Sequence, residues 1–289
     1  MAPTKRSDAY DVGVKVKSSF IASTEIGNIR RPTHHHRDEI TTMRAAPLPQ
    51  LHPPLYQNYR PVSSSDGGMR IYAPVSYAVV RQAQIVPLVH VEALRIAAWF
   101  PICWQIKQQQ PILVALRTLR DDGSCQPPGS LTVPASLPLA LQAYPFVVGL
   151  PDGVGGHMLD DNIPDRPSDV GAPVTTVAGK PSRGTDLKMR AAAAFNAALP
   201  LTETITEHLA EYYLLEPWKL EFDVAGATVA VPDLFIVRQK DVNAGQLMRF
   251  LRTFGSAGAA LLGAHRISLF RAGALLQAAR DAQSGTNAS

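Results

Sequence analysis

The sequence predicts an α+β fold, with mixed antiparallel strands, helices gathered toward the C-terminus and an extended N-terminal arm. Three observations carry that reading. Short runs of β-branched and aromatic residues, cut by prolines and glycines, fill residues 70–178. Alanine- and leucine-rich stretches of helical character take over after residue 185, and residues 1–68 are basic, polar and proline-rich. Strands mixed irregularly with helices favour α+β over a regular βαβ repeat. No internal repeat is visible.

Composition narrows the function classes. The 289 residues are 46% hydrophobic and 18% charged, a globular balance that can bury a sizeable core. The 24 prolines exceed the usual share and predict short, often interrupted elements. A net charge of +4 with a pI near 9.1 is mildly basic and lacks the dense clusters of a sequence-specific nucleic-acid binder. There are two cysteines, Cys103 in an apolar run and Cys125 in a loop, which favours a reducing compartment over a disulfide scaffold. The first twenty residues lack the apolar core of a secretory signal, and no apolar run is long enough to span a bilayer. The expected location is cytoplasmic by default, with a surface or assembly-associated place left open.

Taken in order, residues 1–68 form the arm. They hold nine Lys or Arg against six Asp or Glu, so they supply +3 of the net charge of +4. Pro47, Pro49, Pro53, Pro54 and Pro61 favour extended backbone, and Ser63 to Gly68 reads as a hinge. Val12, Val14 and Val16 alternate with Gly13, Lys15 and Lys17, as in one edge strand. Two readings stay open: a disordered tail, or an extended segment that orders against a protein partner or a second copy. In the second, Arg30, Arg31, His34, His35, His36 and Arg37 are the partner-binding residues.

The folded domain is expected over residues 69–283, with 284–289 as a disordered tail. Ile71 to Val80 and Gln84 to Val89 read as strands, and Val91 to Phe100 as a short helix stopped by Pro101. Ile102 to Ile106 and Ile112 to Leu119 read as a hairpin joined at Gln108-Gln109-Gln110-Pro111. Pro134 to Gln142 reads as a second helix. Short strands are expected at His157 to Leu159 and Val174 to Ala178. A helix over Thr185 to Leu199 should stop at Pro200, and another over Leu201 to Glu216 should start with Thr204 and Glu207 at capping-box spacing. Strands follow at Trp218 to Phe222, Thr228 to Val231 and Leu234 to Val237, then helices at Asp241 to Leu262 and Ile267 to Arg280.

The chemistry-bearing clusters are weak. His34-His35-His36 sits in an arm that supplies no further metal ligands in fixed geometry. Glu203, Glu207 and Glu211, four apart, mark a solvated helix face, and neither Glu-x-x-His nor His-Glu-x-x-His occurs around His208. Gly153-Val154-Gly155-Gly156 does not fit a dinucleotide fingerprint, and Gly179-Lys180-Pro181 puts proline where a phosphate loop needs a helix start. Asp160, Asp161, Asp165 and Asp169 lack EF-hand spacing. There is no G-x-S-x-G, and no histidine stands near either cysteine in sequence. Trp99, Trp104 and Trp218 read as core anchors. No cofactor and no metal site is expected.

Several motifs nevertheless occur together in order. They are Val86-Pro87-Leu88 leading through Trp99-Phe100-Pro101-Ile102, the run Pro111 to Leu116, Val133-Pro134-Ala135, and Tyr144-Pro145-Phe146. Gly179-Lys180-Pro181, Leu214-Leu215-Glu216-Pro217 and Ala264-His265-Arg266-Ile267-Ser268-Leu269 follow. In this pattern the chain resembles the SapC family, named from a bacterial surface-layer locus, over about residues 70–280. Arg117 departs from it, standing where the family pattern has glycine, and so does the turn Cys125-Gln126-Pro127-Pro128-Gly129. The resemblance implies association with surface-layer or export systems and brings no reaction with it.

The leading expectation is thus a non-enzymatic structural or accessory protein that docks on a partner through its arm. The alternative is an enzyme or small-ligand protein with a pocket between the two halves of the domain, near His90, His157 or His265. Weak catalytic candidates are His265, Ser268, His90 and His157. His265 and Ser268, three apart, share a helix face, and a capped helix start with a core histidine explains them more simply.

Overall fold

In the computed structural model, residues 55–286 are described, except 57–58, 125, 132, 149–155, 168–169, 225–226 and 241. The partner-binding candidates Arg30, Arg31, His34, His35, His36 and Arg37, the alternating valines, Cys125, Gly153 and Asp169 lie outside these residues. Residues 59–68, placed with the arm by composition, enter the folded body. Strand β1 (Tyr59–Pro61) pairs with a later strand, and the Arg60 guanidinium grips both oxygens of buried Asp66 at 2.7 and 3.0 Å.

Ile71 to Val80 is not the strand its composition suggests. Only β2 (Arg70–Ile71) is extended. Pro74 has no N–H for a ladder, and the amides of Ser76 and Tyr77 bond back to the carbonyls of Ala73 and Pro74, which closes a 3-10 turn. Helix α1 (Ala78–Gln82) follows, then β3 (Ile85–Pro87), a 3-10 turn at His90–Glu92 and α2 (Ala93–Ile96). Strands β4 (Ile102–Lys107) and β5 (Gln110–Leu116) form the expected hairpin, with Lys107 opposite Gln110. Its two-residue turn places Gln108 and Gln109 at φ 48° and 66°, the positive angles that match a tight turn to the strand twist. Leu119 falls beyond the strand end.

Helix α3 (Leu139–Ala143) follows a 3-10 turn at Pro134–Ser136, and β6 (Phe146–Val148) and β7 (His157–Asp160) come next. The expected strand at Val174 to Ala178 is displaced to β8 (Ala172–Pro173). Thr176 instead bonds across a turn to Lys180, with Gly179 at φ 71°.

Helix α4 (Arg183–Glu211) contains the largest departure: it runs through Pro200 without stopping. Proline in a helix interior costs about 3 kcal/mol and a ladder hydrogen bond. The Thr202 and Thr204 hydroxyls bond back to the Ala198 and Pro200 carbonyls at 2.8 and 2.9 Å, which does not replace the bond lost at the Asn196 carbonyl. The buried Ile205, Thr206 and Leu209 then pack the continued turns against the core. Thr204 is therefore mid-helix and caps nothing. The actual cap is Ser182, whose hydroxyl accepts from the Thr185 amide. At the far end Tyr213 turns to φ 53° and the helix gives way early, so Leu215–Pro217 is a strand, β9.

Strands β10 (Leu220–Val224), β11 (Ala227–Val231) and β12 (Leu234–Val237) precede α5 (Ala244–Ser268) and α6 (Ala272–Thr286). Gly255, at φ 52° and ψ −130°, breaks α5 into two segments. The described strands pair antiparallel throughout, in a five-stranded sheet of order β3-β5-β4-β12-β9, a three-stranded sheet β1-β7-β6, and the pairs β10-β11 and β2-β8. The fold is α+β. The main core joins the five-stranded sheet to α4, α5 and α6 through Trp104, Leu113, Leu209, Phe250, Leu261 and Leu275.

Candidate functional site

A groove of about 590 Å³ opens beside β3. Its walls are Tyr77, Ala78, Val79, Gln82 and Ala83 of α1 and its approach, the consecutive residues Gln84 to Pro87, Gln105 and Lys107 of β4, and Leu55, Asp121, Asn162 and Ile163. Side chains alternate along a strand, so contact with four successive residues means the groove meets the strand edge itself.

That edge is open. Arg117 donates its amide to the Gln84 carbonyl, and Leu88 donates its amide to Leu113. In an antiparallel ladder the bonded pairs recur every second residue. Val86 is therefore also bonded to β5, while Ile85 and Pro87 turn their backbone polar groups outward. Two strands away on β4, the Gln105 side-chain oxygen is buried without a hydrogen-bond partner. Burial pulls the Lys107 amine below its ordinary range.

Under the groove lies the Tyr144-Pro145-Phe146 motif, with a cis bond between Tyr144 and Pro145. The rings of Tyr77 and Tyr144 meet edge to face at 4.9 Å, and Tyr56 lies 5.5 Å from Tyr144. Asn162 donates to the Tyr144 hydroxyl at 2.8 Å, Tyr56 donates to the Phe146 carbonyl at 3.0 Å, and the Lys188 ammonium donates to the Tyr144 carbonyl at 2.5 Å. Burial raises the Tyr56 and Tyr144 phenols well above their ordinary range, so both stay protonated hydrogen-bonding groups.

The histidines singled out by sequence do not meet here; none lines the groove. His90 pairs through Nδ1 with the Thr202 hydroxyl at 2.8 Å, and His157 bonds through Nε2 to the Met189 carbonyl at 3.1 Å. His265 and Ser268 do come together, at the end of α5 rather than at a helix start, and both are fully buried. His265 Nδ1 donates to the Ile102 carbonyl at 2.7 Å, and its Nε2 accepts from the Val237 amide at 3.2 Å. Ser268 accepts from the Ile102 amide and donates to the His265 carbonyl. Both side chains are spent on fastening β4 and β12 to α5. Burial, with a smaller push from Arg266, lowers the His265 imidazole to about 4, which keeps it neutral as these bonds require.

Two buried charges escaped the sequence reading as structural pieces. Glu92 accepts from the Val89 and Leu139 amides and from Arg95, and so ties the α2 turn to the start of α3. Burial nonetheless pushes its carboxyl up to about 7. Glu92→Ala is expected to lower stability by about 2–4 kcal/mol, read as a drop in the urea midpoint, because the buried Val89 amide and the half-buried Leu139 amide lose their acceptor. Arg117, at the position where the sequence departs from the family pattern, is completely buried. Its guanidinium donates to the carbonyls of Val80 and Ala83 and to Gln126, and lies 5.9 Å from the Phe100 ring.

Among the described residues, the acidic loop is spent on structure. Asp161 and Asp165 pair with Arg60 and Arg81, and Asp160 caps the Asn162 amide. Glu207 and Glu211 are exposed. Cys103 is buried, and burial raises its thiol far above its ordinary value. Among the described residues no three His, Cys, Asp or Glu gather as metal ligands, and no helix is long and apolar enough to cross a membrane.

The SapC family model matches residues 66–274, well over half of the chain. The chain belongs to the SapC family. The matched region takes in the whole five-stranded sheet and both sides of the β3 edge, while Leu55 in the groove precedes it. Within this SapC region, Val86-Pro87-Leu88 covers the end of β3, with Val86 and Leu88 turned to β5 and Pro87 to the groove, and Tyr144-Pro145-Phe146 lies beneath it. No curated protein and no solved structure matches the chain.

Proposed function

We propose that this SapC-family chain is a non-enzymatic accessory protein of a larger bacterial assembly, related to a surface layer or to export, and that it docks on a protein partner through the arm ahead of Leu55. What supports the reading is the use made of buried polar groups. His265, Ser268, Glu92 and Arg117 each hold two or more backbone segments together, so none of the four is left to act as a base or nucleophile. A body built this way serves as a rigid holder. The arm carries Arg30, Arg31, His34, His35, His36 and Arg37, a cluster of donors suited to an acidic protein surface.

The test is affinity capture from the native host with the full chain and with a full-length Arg30→Glu, Arg31→Glu, Arg37→Glu variant. A partner retained by the first and lost, by about tenfold or more, from the second is the expected result. Equal capture by both removes the arm from the docking reaction. A second reading, a small polar ligand in the groove, is favoured by the unpartnered Gln105 oxygen. It predicts that metabolite-bearing fractions of host extract raise the melting temperature of the full chain but not of Gln105→Leu.

A further inference from the structure

From Val242 to Arg280 the chain carries five arginines and no Asp or Glu. This stretch holds α5, the 3-10 turn Leu269–Arg271 and the first turns of α6. Beyond the break at Gly255, residues 256, 259, 260, 263, 267 and 270 are all exposed, and their spacing puts them on one side of the helix. The outer side of a surface helix ordinarily carries polar and charged groups. Here it reads Ser, Ala, Ala, Gly, Ile, Phe, with Ile267 62% and Phe270 87% exposed. By the same helical spacing, Arg266 and Arg271 stand on its opposite flanks. We infer that this face docks on a membrane surface rich in anionic lipid. Ile267 and Phe270 enter the boundary between headgroups and acyl chains, and Arg266 and Arg271 meet the lipid phosphates.

Charge decides the occupant. An apolar stripe alone would suit any apolar surface, but arginines on both flanks, with no carboxylate from Val242 to Arg280, call for an anionic counterpart. Two large apolar side chains held out in solvent call for a counterpart that they can enter, as they can a bilayer interface. A second copy docked by the same face would crowd the arginines of both chains together with no acid to pair them. The turn His90–Glu92 and α2 pack against α5 and add the exposed Val91 and Leu94, while Glu92 itself is buried and brings no negative charge to the surface. The contact is peripheral, since no helix among the described residues is long and apolar enough to cross a membrane.

This inference goes beyond partner docking by residues 30–37, rests on different residues and can fail without it.

The experiment is co-sedimentation of the full chain with vesicles of phosphatidylcholine alone and of phosphatidylcholine mixed with an equal share of phosphatidylglycerol. The expected result is binding to the mixed vesicles that falls by about tenfold or more in a full-length Ile267→Ser, Phe270→Ser variant and in Arg271→Glu. All three side chains are exposed, so an unchanged melting temperature shows that the fold is intact. Equal binding by the wild type and both variants overturns the proposal, as does equal binding to the uncharged vesicles. Binding lost instead from the Arg30→Glu, Arg31→Glu, Arg37→Glu variant overturns it too, and gives the vesicle to the arm. Absence of binding to the mixed vesicles also overturns it, and a dimer or an acidic host protein released by the Ile267→Ser, Phe270→Ser change then names the occupant.

Discussion

Arg117→Ala is expected to lower the unfolding free energy by about 3–5 kcal/mol, the size of loss that follows a buried cavity combined with stranded acceptors. Arg117 follows β5 and is completely buried with no carboxylate bonded to it. Burial lowers its guanidinium to about 9, so the charge is held at the expense of hydration. What compensates is geometry. The Val80 and Ala83 carbonyls, at the end of α1, point at one nitrogen, and the Gln126 oxygen takes the other. Gln126 in turn donates to the Arg81 and Gly123 carbonyls, so one side chain knots α1, β5 and the following loop. Arg117→Lys keeps the charge and loses the fork, and should cost about 1–2 kcal/mol. Urea melts of the three proteins, in the order wild type, Lys, Ala, check the ranking. A loss below about 1 kcal/mol for Ala would show that water satisfies those carbonyls instead.

The second large effect is acid sensitivity at His265. The fold requires the neutral ring, because Nε2 accepts from Val237 while Nδ1 donates to Ile102. The folded value near 4 lies below the ordinary 6.5. The unfolded chain therefore binds the proton first as pH falls, and stability drops from pH 6.5 until it levels near pH 4, by about 3 kcal/mol in all. Glu92 acts in the opposite sense. Its carboxyl is raised from 4.5 to about 7, so its contribution is fully present below pH 4.5 and is lost as pH climbs through 7. Urea midpoints of wild type and His265→Gln, compared at pH 4.5 and pH 6.5, isolate the histidine. The wild type should weaken toward the lower pH and the variant should weaken much less. Parallel losses in both would place the acid-sensitive group elsewhere.

Much of the central sheet was legible because its signals are local. The apolar runs on either side of Gln108-Gln109 call for a hairpin, and β12 is bounded by Pro232 and by the charged Arg238-Gln239-Lys240. Misreadings came where tertiary packing outranked a local rule. Pro200 should stop a helix, yet the buried face of Ile205 and Leu209 carries α4 through it. Ile71 to Val80 has the side chains of a strand, yet Pro74 removes the donor that a strand needs. β1 was hidden because three residues ending in a proline carry no periodicity, and its pairing with β7 is set by Arg60 gripping Asp66 and Asp161. The groove left no trace in the sequence. Its walls come from five separate stretches, and its open edge follows from which residues of β3 face β5. For His265 the sequence favoured a core histidine at a helix start, and the ring is indeed buried, but at the end of α5, where backbone groups far apart in sequence consume both it and Ser268.

The five-stranded sheet draws β3, β4 and β5 from one region of the chain and β9 and β12 from another, with α4 between them in sequence. During synthesis the β4 flank must wait, unsatisfied, until the ribosome has released β12, an invitation to aggregation that lasts for more than a hundred residues of elongation at the usual pace. Long-range pairing of this kind slows folding. A premature stop anywhere ahead of β12 should therefore yield a sticky, chaperone-bound fragment instead of a shorter working protein.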